Sequence, residues 1–127
     1  MLVIRQAQMD ALARSAMEPF VENVIGHVRR VWPEECAAMG EEGLEAFVAR
    51  GMAKCERYEI DTEYDVGRFC DLMLLLTLDF DEDPNIPWAQ DILTSPGFDG
   101  RVKVDQLMER TETLCQDMID AIDAIEE

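Results

Sequence analysis

The sequence has no run of about 20 apolar residues, the length a helix needs to cross a bilayer, so nothing in it reads as a membrane span. Histidine occurs once, as His27, and none of the four cysteines has a CxxC partner or a nearby histidine, which argues against a zinc site. A phosphate-binding glycine loop, a nucleophile elbow and a dinucleotide fingerprint are all missing. These gaps argue against an enzyme, and no cofactor, metal or small-molecule substrate is expected. Basic residues are also scarce: 11 stand against 28 acidic ones, for a net charge of −17. That charge repels nucleic acid and anionic lipid alike, so the expected partner is a protein. Met1 to Ile4 is too short an apolar run for a signal peptide, so a cytoplasmic setting with reduced thiols is expected.

What is present is apolar enough to fold. Hydrophobic residues make up 48% of the 127, too many for a disordered acidic tail. One acidic, all-helical domain spanning residues 1–127 would bury roughly two-thirds of its unfolded surface. Its centre is expected at Thr62 to Phe80. Thr62 stands three residues before Asp65, a helix-capping arrangement in which the threonine accepts a backbone N–H and the acid complements the positive end of the dipole. Val66, Phe69, Cys70 and Met73 then form a stripe, and Leu72, Leu74, Leu75, Leu76 and Leu78 fill the other faces. A helix apolar on every side is one packed by several neighbours. The spacing therefore predicts an all-α bundle of about five helices around a central helix over 62–80.

The other helices follow from periodicity. Ile4 to Val31 carries apolar residues every three or four positions, with Pro19 predicting a kink or break near Met17. Trp32-Pro33 stops that helix, and Glu34 to Gly40 reads as a loop or short turn. Glu41 to Tyr58 is a second helix, with Gly51 either bending it or admitting another helix closely. Pro87 to Thr94 is a short helix, capped by Asp83 or Asn85, and Val102 to Ile125 a last long one. On that last helix Leu107, Thr111, Leu114, Met118, Ala121 and Ile125 share one face, opposite Asp105, Glu109, Glu112, Asp117, Asp120 and Asp123. The charge is uneven along the chain, −1 up to Gly40 and −16 after it.

Asp79, Asp81 and Asp83 imitate the opening of a calcium loop. The imitation fails at the sixth position, Pro84 where glycine must turn, and at the twelfth, Gln90 where a bidentate glutamate belongs. The stretch therefore reads as an acidic linker stiffened by Pro84 and Pro87. His27, without a second ligand at metal spacing, reads as structural.

An ordered series of short segments adds a resemblance. IRQAQMDAL from Ile4, His27-Val28-Arg29, Arg50-Gly51-Met52, Tyr58-Glu59-Ile60, Asp65 to Met73, Asp79 to Pro84 and Pro87-Trp88-Ala89 follow one another in turn. Together they resemble small helical proteins encoded in bacterial type VI secretion effector loci, beside a larger effector adaptor. The match spans most of residues 4 to 93. It implies a non-enzymatic co-chaperone or adaptor subunit that helps hold a toxic effector and load it for secretion, with no catalytic residues to carry over. An immunity protein that neutralises a cognate toxin is the alternative, since acidic helical proteins are steered onto basic enzymes. For either role the expected contacts are Trp88 and Phe98 as apolar anchors and Asp117 and Asp120 as steering charges.

Overall fold

The computed structural model describes the backbone of residues 6–126 and the side chains of residues 18–124. Five α-helices and one short 3-10 turn account for the regular structure: α1 (Gln6–Val31), α2 (Pro33–Arg57), α3 (Glu63–Leu75), the turn Phe80–Glu82, α4 (Pro87–Leu93) and α5 (Gly100–Glu126). No strand occurs among the described residues. The chain is an all-α bundle, and no described helix is long and apolar enough to cross a membrane.

α3 sits at the centre, packed by α1, α2 and α5. It begins as its sequence predicts. The Asp65 backbone N–H donates to Thr62 Oγ1 at 3.1 Å, and the Thr62 hydroxyl donates back to the Asp65 carboxylate at 2.8 Å. Val66, Phe69, Cys70, Leu72 and Met73 are all buried. Two helices meet at Gly51 because it has no side chain: a Cβ there would stand 2.8 Å from Cys70 Sγ and 3.3 Å from Met73 Sδ. Close approach is thus the reason for that glycine.

The helix is shorter than its apolar run. It ends at Leu75, and Leu76 leaves the helical region at φ −101°, ψ −93°. Leu75 and Leu78 lie 47% and 44% exposed, so the expectation of burial on every side fails from Leu75 onward. The turn lets Phe80 double back into the core, where its ring lies 5.0 Å from that of Phe69. One large aromatic buried fully gains more than two half-buried leucines lose.

Three further differences are local. Glu34 to Met39 is helical instead of a loop, and the break comes at Gly40, whose φ of 74° only glycine adopts freely. α1 passes through Pro19 without interruption. Pro87 starts α4, whose cap residue is Ile86 with no side-chain bond. Asp83 accepts instead from the Asn85 backbone N–H at 2.9 Å, so neither caps the helix.

α5 is fastened at its root. A Cβ on Gly100 would meet the Glu59 carbonyl oxygen at 2.7 Å, so the start of α5 lies directly on the chain leaving α2. Lys103, itself buried, donates to the Tyr58 carbonyl at 2.8 Å, a cation at the negative end of the α2 dipole.

Candidate functional site

Three polar knots lie between the helices. The first joins the end of α2 to the turn after α3. Lys54 and Tyr58, one helical turn apart, face the same way. The Lys54 ammonium binds Asp81 at 2.5 Å and Asp79 at 2.9 Å, and the Tyr58 hydroxyl donates to the other Asp81 oxygen at 2.8 Å. Arg50 also reaches Asp79, and Arg57 reaches Glu82 at 3.2 Å. Lys54 and Asp81 are both buried. Burial opposes the Lys54 charge, but the bonds to Asp79 and Asp81 outweigh it and raise the pKa. Those same donors, Lys54 first and then Arg50, hold Asp79 down at about 2. Burial, and then the bond to Asp81, pushes the Tyr58 phenol up.

The segment 79–83 is therefore no linker. Asp79, Asp81 and Glu82 are spent on α2, and among the described residues no three His, Cys, Asp or Glu side chains gather as metal ligands would.

The second knot surrounds the buried Asp65 at the start of α3. Arg68 donates to it at 2.7 Å, and Arg101 of α5 donates to both carboxylate oxygens, at 2.8 and 2.9 Å. Burial works against the Asp65 charge, yet Arg68, Arg101 and Thr62 together lower its pKa. Arg68 goes on to Asp105 of α5 at 2.8 Å and covers the Tyr64 ring at 4.5 Å. In the third knot Asp71 binds His27 Nε2 at 2.9 Å and the Trp32 indole N–H at 3.0 Å, which fastens α3 to the end of α1. Every carboxylate in these knots has a cationic, phenolic, imidazole or indole partner. The knots align helices.

An apolar recess lies apart from these knots, along α1, α2 and the start of α3. Phe20 and Val21, Ala49, Met52 and Ala53, and Ile60 and Val66 line this recess of about 640 Å³. Among the described residues, Glu56 and Asp61 are the charged ones that line it. The short alanine side chains leave the space, while Ile60 and Val66 form a buried floor. This recess was not foreseen. Alanines at 49 and 53 read in a sequence as neutral helix formers, and only the packed neighbours turn them into a groove.

The four expected contact residues do not come together at it. Trp88 is half-buried, packed on the core with Arg110 of α5 over its ring at 5.4 Å. Phe98, 36% exposed, lines a separate recess of about 470 Å³ with Tyr58, Gln90 and Lys103. Asp117 and Asp120 are exposed farther along α5, where Gln116 donates to Asp120 at 3.0 Å. Trp88 thus stands near the root of the α5 segment that carries the two acids, and Phe98 lies apart from them. No family model, curated protein or solved structure matches this chain. Its geometry is what bears on function.

Proposed function

We propose that the protein is a non-enzymatic, cytoplasmic co-chaperone or adaptor subunit that binds a larger adaptor or a toxin effector in type VI secretion and assists effector loading. The observation that supports this reading is the groove on α1 and α2. Its floor is apolar, its charges among the described residues are Glu56 and Asp61, and the buried Lys54–Asp81 pair fixes α2 against the turn after α3. A partner segment with one or two large apolar side chains beside Lys or Arg fits that lining in both shape and charge. A preformed recess spares the ordering cost that a flexible surface would incur on binding. The remaining negative charge raises the encounter rate with a basic partner more than it strengthens the complex.

The test is co-expression with candidate type VI adaptor and effector proteins from the same genome, followed by purification and a secretion assay. The proposal expects a stable complex with adaptor or effector, reduced effector delivery when this chain is removed, and loss of the complex on Met52→Arg. Rescue of cells from the effector by this chain alone, with delivery unaltered, would identify an immunity protein instead.

A further inference from the structure

α5 extends beyond the core that holds its root. Val104, Leu107 and Thr111 are buried, but beyond Thr111 every described residue except Leu114 is exposed. The apolar pattern does not stop where burial stops. Leu107, Thr111, Leu114, Met118 and Ala121 follow one another at alternating intervals of four and three, the a/d repeat by which one helix packs along another. Ile122 widens the same seam. Among the described residues nothing covers its far part: Met118, Ile119 and Ile122 are 58%, 51% and 55% exposed. Isolated exposed apolar residues are ordinary, but these cluster within about two turns and continue a seam the protein already uses internally.

The charge around the seam selects its occupant. Residues 112–124 include Glu112, Asp117, Asp120 and Asp123 and no lysine or arginine. The last base, Arg110, is drawn over Trp88. The final turn of α5 has no basic residue, so the negative end of its dipole is uncompensated too. A second copy of this chain would lay acids against acids. A neutral amphipathic helix would gain only apolar contact, whereas one flanked by Lys and Arg gains apolar contact and relieves the repulsion.

We propose that the projecting half of α5 pairs with a basic-flanked amphipathic helix of a partner protein. Met118 and Ile122 seat in the partner's apolar seam, and Asp117 and Asp120 meet its cations. Antiparallel pairing is favoured, since it sets the partner's positive N-terminal end beside the negative end of α5. This contact is separate from the groove on α1 and α2.

A synthetic helical peptide of about three heptads tests it, with Leu and Ile at a and d and Lys at the flanks. Two controls accompany it: the same peptide with Glu at the flanks, and one of identical composition with the apolar positions scrambled. Fluorescence anisotropy with the full chain should give binding to the first peptide and at least about tenfold weaker binding to both controls, a difference of about 1.4 kcal/mol. The doubly substituted Met118→Ser, Ile122→Ser chain, altered only at exposed positions, should lose at least about tenfold for the first peptide with its helical circular dichroism unchanged. Asp117→Lys with Asp120→Lys should slow association. Equal binding of the scrambled peptide would overturn the proposal by reducing it to charge attraction. So would full affinity in the Met118→Ser, Ile122→Ser chain. Sedimentation of the chain alone as a dimer dissolved by those two substitutions would give the seam to a second copy, and the proposal would be wrong.

Discussion

Lys54 and Asp81 form a buried ion pair, 2.5 Å from nitrogen to oxygen, that ties α2 to the turn after α3. Neither charge has solvent to fall back on: both side chains are almost wholly enclosed. The pair explains why the chain leaves α3 so early. Asp81 must reach Lys54 and Tyr58, and Phe80 must reach Phe69, so the backbone turns at Leu76 and leaves Leu75 and Leu78 toward solvent.

Breaking that pair from one side should be costly. Lys54→Met leaves Asp81 buried, with Tyr58 and the more distant Arg57 as its remaining partners, and should lose about 3–5 kcal/mol. Replacing both as Lys54→Met, Asp81→Leu should recover much of it, because the uncompensated charge is gone. Urea unfolding of the two single variants and the double variant measures the coupling. A double variant as unstable as the sum of the singles would show that the residues act independently.

Gly51→Ala should destabilise even though alanine is the better helix former by about 1 kcal/mol. The added methyl meets Cys70 Sγ at 2.8 Å, and overpacking of this kind costs about 1–3 kcal/mol. In a Cys70→Ala background the sulfur is absent and the penalty should largely vanish. The thermal midpoints of the four proteins decide it, and a penalty that persists without the sulfur would refute the contact.

Two leucines in one helix should respond differently. Leu72→Ala should cost about 2–5 kcal/mol through lost burial and a cavity, because Leu72 is fully enclosed. Leu75→Ala, at a position 47% exposed, should cost well under half as much. Equal losses in denaturant unfolding would place Leu75 in the core after all.

The difference between those leucines marks where sequence reasoning runs out. The Thr62 cap and the Val66–Phe69–Cys70–Met73 stripe were legible, because capping chemistry and helical period are local properties. The end of α3 was not legible. It depends on Phe80 and Asp81 finding partners far back in the chain, and an apolar run does not show which of its members will lose that competition. Asp79 and Asp81 looked like loop acids for the same reason: their cations lie 25 to 29 residues upstream. Of the expected contact residues, the sequence placed Asp117 and Asp120 on an exposed helix face but gave no sign that Met118 on the other face would be exposed as well.

Stability should hold over a broad middle range of pH and fail at both ends. Asp65 and Asp79 have folded pKa values below their unfolded ones, so their contribution is complete above about pH 4 and is lost as pH falls through the folded values, about 2 for Asp79. Lys54 is raised by its carboxylate partners and Tyr58 by burial, so both contribute fully below about pH 10 and lose that contribution as pH climbs through their folded values. The buried thiols of Cys36, Cys55 and Cys70 are raised too, so their contribution starts to be lost above about pH 8.5; below that, titration toward the isoelectric point near 4.2 relieves self-repulsion. Thermal midpoints should therefore not fall as pH is lowered from about 8 to about 5. A steady decline from pH 7 to pH 5 would mean that another group governs acid stability.

Cys36, Cys55 and Cys70 are enclosed, and burial pushes all three thiols up, Cys70 to about 12. Cys115 alone is exposed, and it lies on α5 one position after Leu114, beside the uncovered seam. The protein thus carries its own reporter: a mild alkylating reagent applied to the folded chain should modify one thiol in four, with no engineered label. A partner helix lying along α5 would shield that thiol, whereas a partner confined to the α1–α2 groove would leave it reactive. The rate of a single chemical modification would then distinguish which surface is occupied, in a purified complex or in a crude extract.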